Sequence, residues 1–139
     1  GSGGPTGSNY RIYMQRITVL CDRSPHCQYQ SAPDIKVDFT FDGSTRSKSK
    51  NNLPKGGSGE VSINLLSELS NSSTALFSKP MSTITSKPIA VRVKETSLIN
   101  PGGIIDSCTV TLTAGDLANT YKVFTCGTYS VVTLKMKPY

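Results

Sequence analysis

Tryptophan is absent from this sequence, histidine occurs once, and no CxxC pair is present. Nor is there any run of about 20 apolar residues, so the chain offers no helix that would span a bilayer. Without tryptophan the core must come from Val, Ile, Leu, Phe and Tyr. An immunoglobulin domain proper is disfavoured, because it packs a tryptophan against its inter-sheet disulfide. The lone imidazole, His26, lies in a proline-containing segment between two cysteines and reads as a loop residue rather than a general base. Structural zinc sites use short-spaced ligand pairs, which argues against a site built from His26 and scattered thiolates. Charged residues are scarce, at 17%, while Ser and Thr abound. That balance suits strands with hydroxylated outer faces better than amphipathic helices. Internal repeats are missing too.

What remains is a chain of 139 residues, enough for one domain. Gly1 to Ser8 holds mostly Gly and Ser and reads as a disordered tag or linker, with any secretion signal already removed. Residues 9–139 are then a single domain. The net charge of +6 favours anionic partners or simply solubility. Cys21, Cys27, Cys108 and Cys126 are an even set that permits two disulfides in three connectivities. Local pairing is preferred: Cys21 with Cys27 around a short loop, and Cys108 with Cys126 tying neighbouring strands. Two disulfides imply an oxidising compartment. Asn71-Ser72-Ser73 is a glycosylation sequon.

Strand signals recur along the chain. Tyr10 to Cys21 alternates with a phase shift near Gln15 and Arg16 that fits a bulge. In Asp34 to Asp42, residues Ile35, Val37, Phe39 and Phe41 point one way. Gly43 to Gly59 lacks apolar periodicity and reads as a long exposed loop. Further strands are expected at Glu60 to Leu66, Ile89 to Glu95, Ile104 to Thr113, Tyr121 to Cys126 and Thr128 to Lys137. Asn100-Pro-Gly-Gly103 signals a turn, and Ala114 to Asn119 a turn or one helical turn. Seven or eight short strands without a long helix point to an all-β fold, an antiparallel two-sheet sandwich of C2-like or Ig-like type.

Candidate binding residues are cationic. Arg46, Lys48, Lys50 and Lys55 crowd the expected loop without an acid among them. Arg92 and Lys94 share one face of their strand, as do Lys135 and Lys137; were those strands neighbours, the four would form a basic stripe. The acids Asp22, Asp34, Asp38, Asp42 and Asp106 show no Asp-x-Asp spacing, so a calcium site is not expected. The aromatics are spread along the chain rather than grouped as stacking platforms, which disfavours nucleic acid. No paired acids or activated nucleophile stand out, and no enzyme, cofactor or metal is expected.

Lys87-Pro-Ile-Ala-Val-Arg-Val-Lys-Glu95, Ile104-Ile-Asp-Ser107 and Tyr129-Ser-Val-Val-Thr-Leu-Lys-Met136 together resemble a C2-type sandwich. The layout is similar to the N-terminal domain of Notch ligands, over roughly Asp34 to Pro138. That resemblance implies an extracellular domain that binds a receptor and touches lipid through loops at one end. The chain lacks the aspartate clusters of calcium-dependent members and has fewer cysteines than Notch ligands. A rival resemblance lies in Gly127-Thr-Tyr-Ser-Val-Val-Thr-Leu134, which is similar to the last strand of bacterial pilus subunits. It implies an adhesin assembled by strand exchange.

The sequence therefore leads to a secreted or cell-surface recognition module, not transmembrane, that engages a protein receptor, an acidic glycan or an anionic lipid through loops. A pilus-type adhesin or structural subunit is the alternative.

Overall fold

Every second side chain of Ile35–Phe41 and Ile89–Glu95 is buried, all of them apolar except Glu95 at the end of the second segment, whose carboxylate accepts from Asp34 N and Ser97 N, as strand alternation requires when one sheet face is covered. In a computed structural model, which describes residues 8–97 and 103–139, this pattern builds a two-layer antiparallel sandwich. The turn expected at residues 100–103 and the tag at residues 1–8 fall almost wholly outside the described residues.

Nine strands occur among the described residues: β1 (Asn9–Val19), β2 (Ile35–Phe41), β3 (Ser44–Lys50), β4 (Val61–Asn64), β5 (Phe77–Pro80), β6 (Ile89–Glu95), β7 (Gly103–Val110), β8 (Tyr121–Cys126) and β9 (Ser130–Pro138). Two short helices, α1 (Met81–Ile84) and α2 (Ala114–Ala118), complete the regular structure with a few 3-10 turns. One sheet runs β4–β1–β9–β8, with β5 also paired to β1; the other runs β3–β2–β6–β7. Between them lies one main core, including Ile12, Met14, Ile17, Val37, Phe39, Val91, Val132 and Leu134. The bulge expected near Gln15 is present, where the β1–β9 register shifts between Met14 and Arg16. It keeps Ile12 and Met14 before it, and Ile17 and Val19 after it, on the core side.

Three features differ from the sequence expectations. Residues 44–50 are not loop but the edge strand β3. Asp42 and Gly43 both have positive φ, 51° and 82°, the requirement of the tight type I′ hairpin turn that Asp-Gly favours. β3 carries only Ser, Thr, Lys and Arg, so apolar periodicity cannot reveal it. Phe77–Pro80 is a short strand in a stretch that reads as irregular. Cys108–Cys126 does not tie neighbours within one sheet: it joins β7 to β8, edge strands of opposite sheets. The preferred pairing itself holds, with Cys21 bonded to Cys27.

The same rim is held by Asp106. Its buried carboxylate accepts from Thr128 N (2.8 Å), Tyr129 N (3.0 Å) and Ser130 Oγ (2.6 Å), across to the β8–β9 turn. Gly127 in that turn has φ 70°, and a Cβ there would collide with this carboxylate. At the opposite rim, residues 65–76 cross from β4 to β5 as a strap. Tyr13, only 1% exposed, packs beneath it with Leu69 and Ala75, apart from the main core.

Candidate functional site

The four cations of the expected loop are dispersed, and most are engaged. Pairing of β3 with β2 sets Arg46 opposite Phe39, Lys48 opposite Val37 and Lys50 opposite Ile35, so these side chains project on the core side of the edge strand, over the rim. Lys48 Nζ pairs with Glu68 of the strap at 2.9 Å, and Arg46 donates to the Ser73 carbonyl at 3.3 Å. Lys55 pairs with Asp22 at 2.5 Å and donates to the Gln28 carbonyl. Inward-pointing charges on an edge strand obstruct edge-to-edge pairing with other chains. This set closes the rim and guards it.

Arg92 and Lys94 on β6 face outward from the four-stranded sheet. Cross-strand register arranges that face in rows: Thr45, Thr40, Ala90 and Thr109 in one, then Ser47, Asp38, Arg92 and Ser107 in the next. Lys94 pairs with Asp38 at 2.7 Å, and Ser47 Oγ donates to the same carboxylate at 2.5 Å. Partial burial pushes the Asp38 carboxyl up, but hydrogen bonds from Lys94 and Ser47 and the charges of Lys94 and Lys36 outweigh it. Asp38 is held below its ordinary value of 3.8.

Lys135 and Lys137 lie on β9, in the other sheet, so they form no stripe with Arg92 and Lys94; the two pairs sit on opposite outer faces of the sandwich. Their neighbours are residues the sequence did not single out. On β1, Arg11 stands directly opposite Lys137, and Arg16 opposite Thr133. On β8, Tyr121 stands opposite Lys135. Lys135 Nζ is 5.8 Å from the Tyr121 ring centroid, and the Arg11 guanidinium carbon 4.1 Å from that of Tyr139. Both contacts fall within cation–π range.

No outward position that β1, β4, β8 and β9 contribute to this face is acidic; Ser62, Asn64, Thr18, Thr125, Thr133, Val123 and Val131 share it, and Tyr13, between Arg11 and Arg16 and opposite Lys135, is buried under the strap. Among the described residues, none of the ion pairs uses Arg11, Arg16, Lys135 or Lys137. Like charges directly opposite across a ladder are destabilising, and Arg11 and Lys137 are such a pair. Val123 (62%) and Tyr121 (47%) are well exposed. Along β1, Arg11 Nε, Tyr13 OH and Gln15 Oε1 are each buried without a hydrogen-bond partner among the described residues. Arg11 was detectable from the sequence, since it alternates with Ile12. Arg16 was obscured by the bulge that resets the phase of its strand.

The acidic residues are committed separately. Asp34 accepts from Asn52 N at 2.8 Å. Asp42 takes Lys87 and Lys79, whose hydrogen bonds and charge hold its carboxyl low. Asp22, Asp38 and Asp106 have the partners given above. No cluster of metal-ligating side chains occurs among the described residues, no described helix is long and apolar enough to cross a membrane, and His26 is an exposed loop residue. Asn71 is exposed, with its Oδ1 accepting from Ser73 N and Ser73 Oγ.

No protein-family model matches the chain, and no curated protein is detectably similar to it.

Proposed function

We propose that the domain is an extracellular recognition module that binds an acidic glycan across the outer face of β1, β9 and β8. The observation that carries this reading is the grouping of Arg11, Arg16, Lys135 and Lys137 on one acid-free sheet face. Cations left facing one another weaken the fold slightly, and a polyanion relieves that repulsion. Successive outward residues of a strand are separated by roughly 7 Å, so the sheet displays its charges at fixed intervals to an extended chain. Tyr121 and Tyr139 flank these charges with rings on which the apolar face of a sugar can stack. Two disulfides, typical of extracellular proteins, support a setting where sulfated and carboxylated glycans are found, and secretion is part of the proposal. The exposed Asn71 side chain keeps its amide nitrogen clear of the Oδ1 hydrogen bonds, which suits it to carry a glycan.

A protein receptor is the second reading, supported by the exposed apolar trio Tyr121, Val123 and Val131. The two separate by salt. Binding to an immobilised sulfated glycan should fall steeply between low and physiological ionic strength, because exposed charges are screened within about 8–10 Å. It should be lost on the desulfated chain. Equal binding to both chains, or retention that salt does not alter, would refute the glycan reading and turn the search to a receptor.

A further inference from the structure

A depression of about 530 Å³ opens on the other outer face, lined by residues that include Asp38, Thr40, Thr45, Arg92, Ser107 and Thr109. Its origin is local. Ala90 stands between Thr40 and Thr109 in register, and its single methyl leaves a hollow among taller neighbours on all four strands. The volume lies within the span of small-molecule sites, about 300–1,000 Å³. Hydroxyls stand on both sides of it, and Ala90, Val91 and Cys108 supply apolar lining. Thr40 Oγ1 and Thr45 Oγ1 are 2.8 Å apart, and Ser107 and Thr109 line the far side.

Charge within the hollow is unbalanced. The Asp38 carboxylate is taken by Lys94 and Ser47, whereas Arg92, next to it in register, is exposed and enters none of the ion pairs among the described residues. A guanidinium presents a planar fork that fits a carboxylate. Hydroxyls that both donate and accept fit a polyol.

We propose that this hollow is a second binding site, separate from the cationic face, that takes one carboxylate-bearing sugar ring. The sugar carboxylate pairs with Arg92, and its ring hydroxyls exchange hydrogen bonds with Thr40, Thr45, Ser107, Thr109 and the remaining lone pairs of Asp38. Because the two sites look away from each other across the sandwich, one domain holds two glycan segments and links them.

Amide chemical-shift mapping of the folded domain, titrated with glucuronate and in parallel with glucose and acetate, tests the site directly. Glucuronate should move the amides of Ala90, Arg92, Ser107 and Thr109, and glucose or acetate should move them far less. R92Q should weaken glucuronate binding about tenfold or more, as loss of a charge-assisted hydrogen bond implies. A90F should fill the hollow and abolish it, while leaving the domain's circular dichroism and its retention on a sulfated glycan unchanged. Absence of shifts at those amides, equal shifts with all three probes, or shifts confined to β1 and β9 would each overturn the proposal. The last result would leave the cationic face standing alone, so failure here is distinguishable from failure of the first reading.

Discussion

The two outer faces of this sandwich share one origin and differ in chemistry. Each is the solvent side of an antiparallel sheet whose other side is buried, and each carries cations at alternate strand positions. On the four-stranded sheet, Lys94 stands opposite Lys36 but reaches diagonally to Asp38. On the five-stranded sheet, Arg11 meets Lys137 and no acid intervenes. Register sets like charges opposite each other on both faces, and what separates the faces is whether an acid lies within diagonal reach. The first face answers Lys94 with Asp38, leaves Arg92 and Lys36 out of the ion pairs among the described residues, and keeps a hollow; the second has no acid in its strand rows.

The largest effect is expected where the two faces are tied together. C108S/C126S removes the bond between β7 and β8 and should lower unfolding free energy by about 3 kcal/mol, read from denaturant midpoints. Next, R11Q/K135Q/K137Q should weaken binding to a sulfated glycan about a hundredfold, from roughly 1 kcal/mol per cation at an anionic surface. R92Q/K94Q should leave that binding within about threefold, a difference under 1 kcal/mol; equal losses from both variants would erase the distinction between the faces. K137E alone should do two opposite things. It should stabilise the fold by a few tenths to about 1 kcal/mol, because Arg11 gains an opposite charge, while weakening the glycan contact. A variant that is less stable and binds as well as wild type would show that the repulsion is not the price of binding.

The smallest effect concerns acid. Asp38 has its pKa lowered in the folded state, so its pairing stabilises the fold above the ordinary carboxylate value and is lost as pH falls through the lowered one. The stability difference between wild type and D38N should therefore be constant above about pH 5 and shrink below about pH 4. The five-stranded face has no carboxylate in its rows to titrate, so its retention on a sulfated chain should stay flat over the same range.

Much of this was legible in the sequence because its causes are local. β2 and β6 announce themselves by strict alternation, the β1 bulge by a phase slip, and α2 as a turn or one helical turn at Ala114 to Asn119, which in the structure a capping box of Thr113 and Asp116 opens. Local disulfide pairing likewise needs only short separations. β3 stayed hidden because an edge strand without apolar residues leaves no hydrophobic period, although Asp42-Gly43 did carry the turn signal. The cationic face was half visible. Lys135 and Lys137 were identifiable as one-sided, but their neighbours come from a strand more than a hundred residues earlier, and only tertiary register sets Arg11 rather than Arg92 beside them.

That register has a mechanical side. Tyr10 faces Pro138, and Tyr139 N donates to the Asn9 carbonyl at 2.9 Å, so the first and last strands finish side by side at one end of the same ladder. Tension applied to those two ends acts along the ladder's hydrogen bonds, which lie perpendicular to antiparallel strands, and opens them singly like a zipper instead of shearing them as a group. A module anchored this way should yield at low force, beginning at Arg11, Lys137 and Tyr139. A bound glycan chain laid across β1 and β9 would act as a stitch over the seam that opens first.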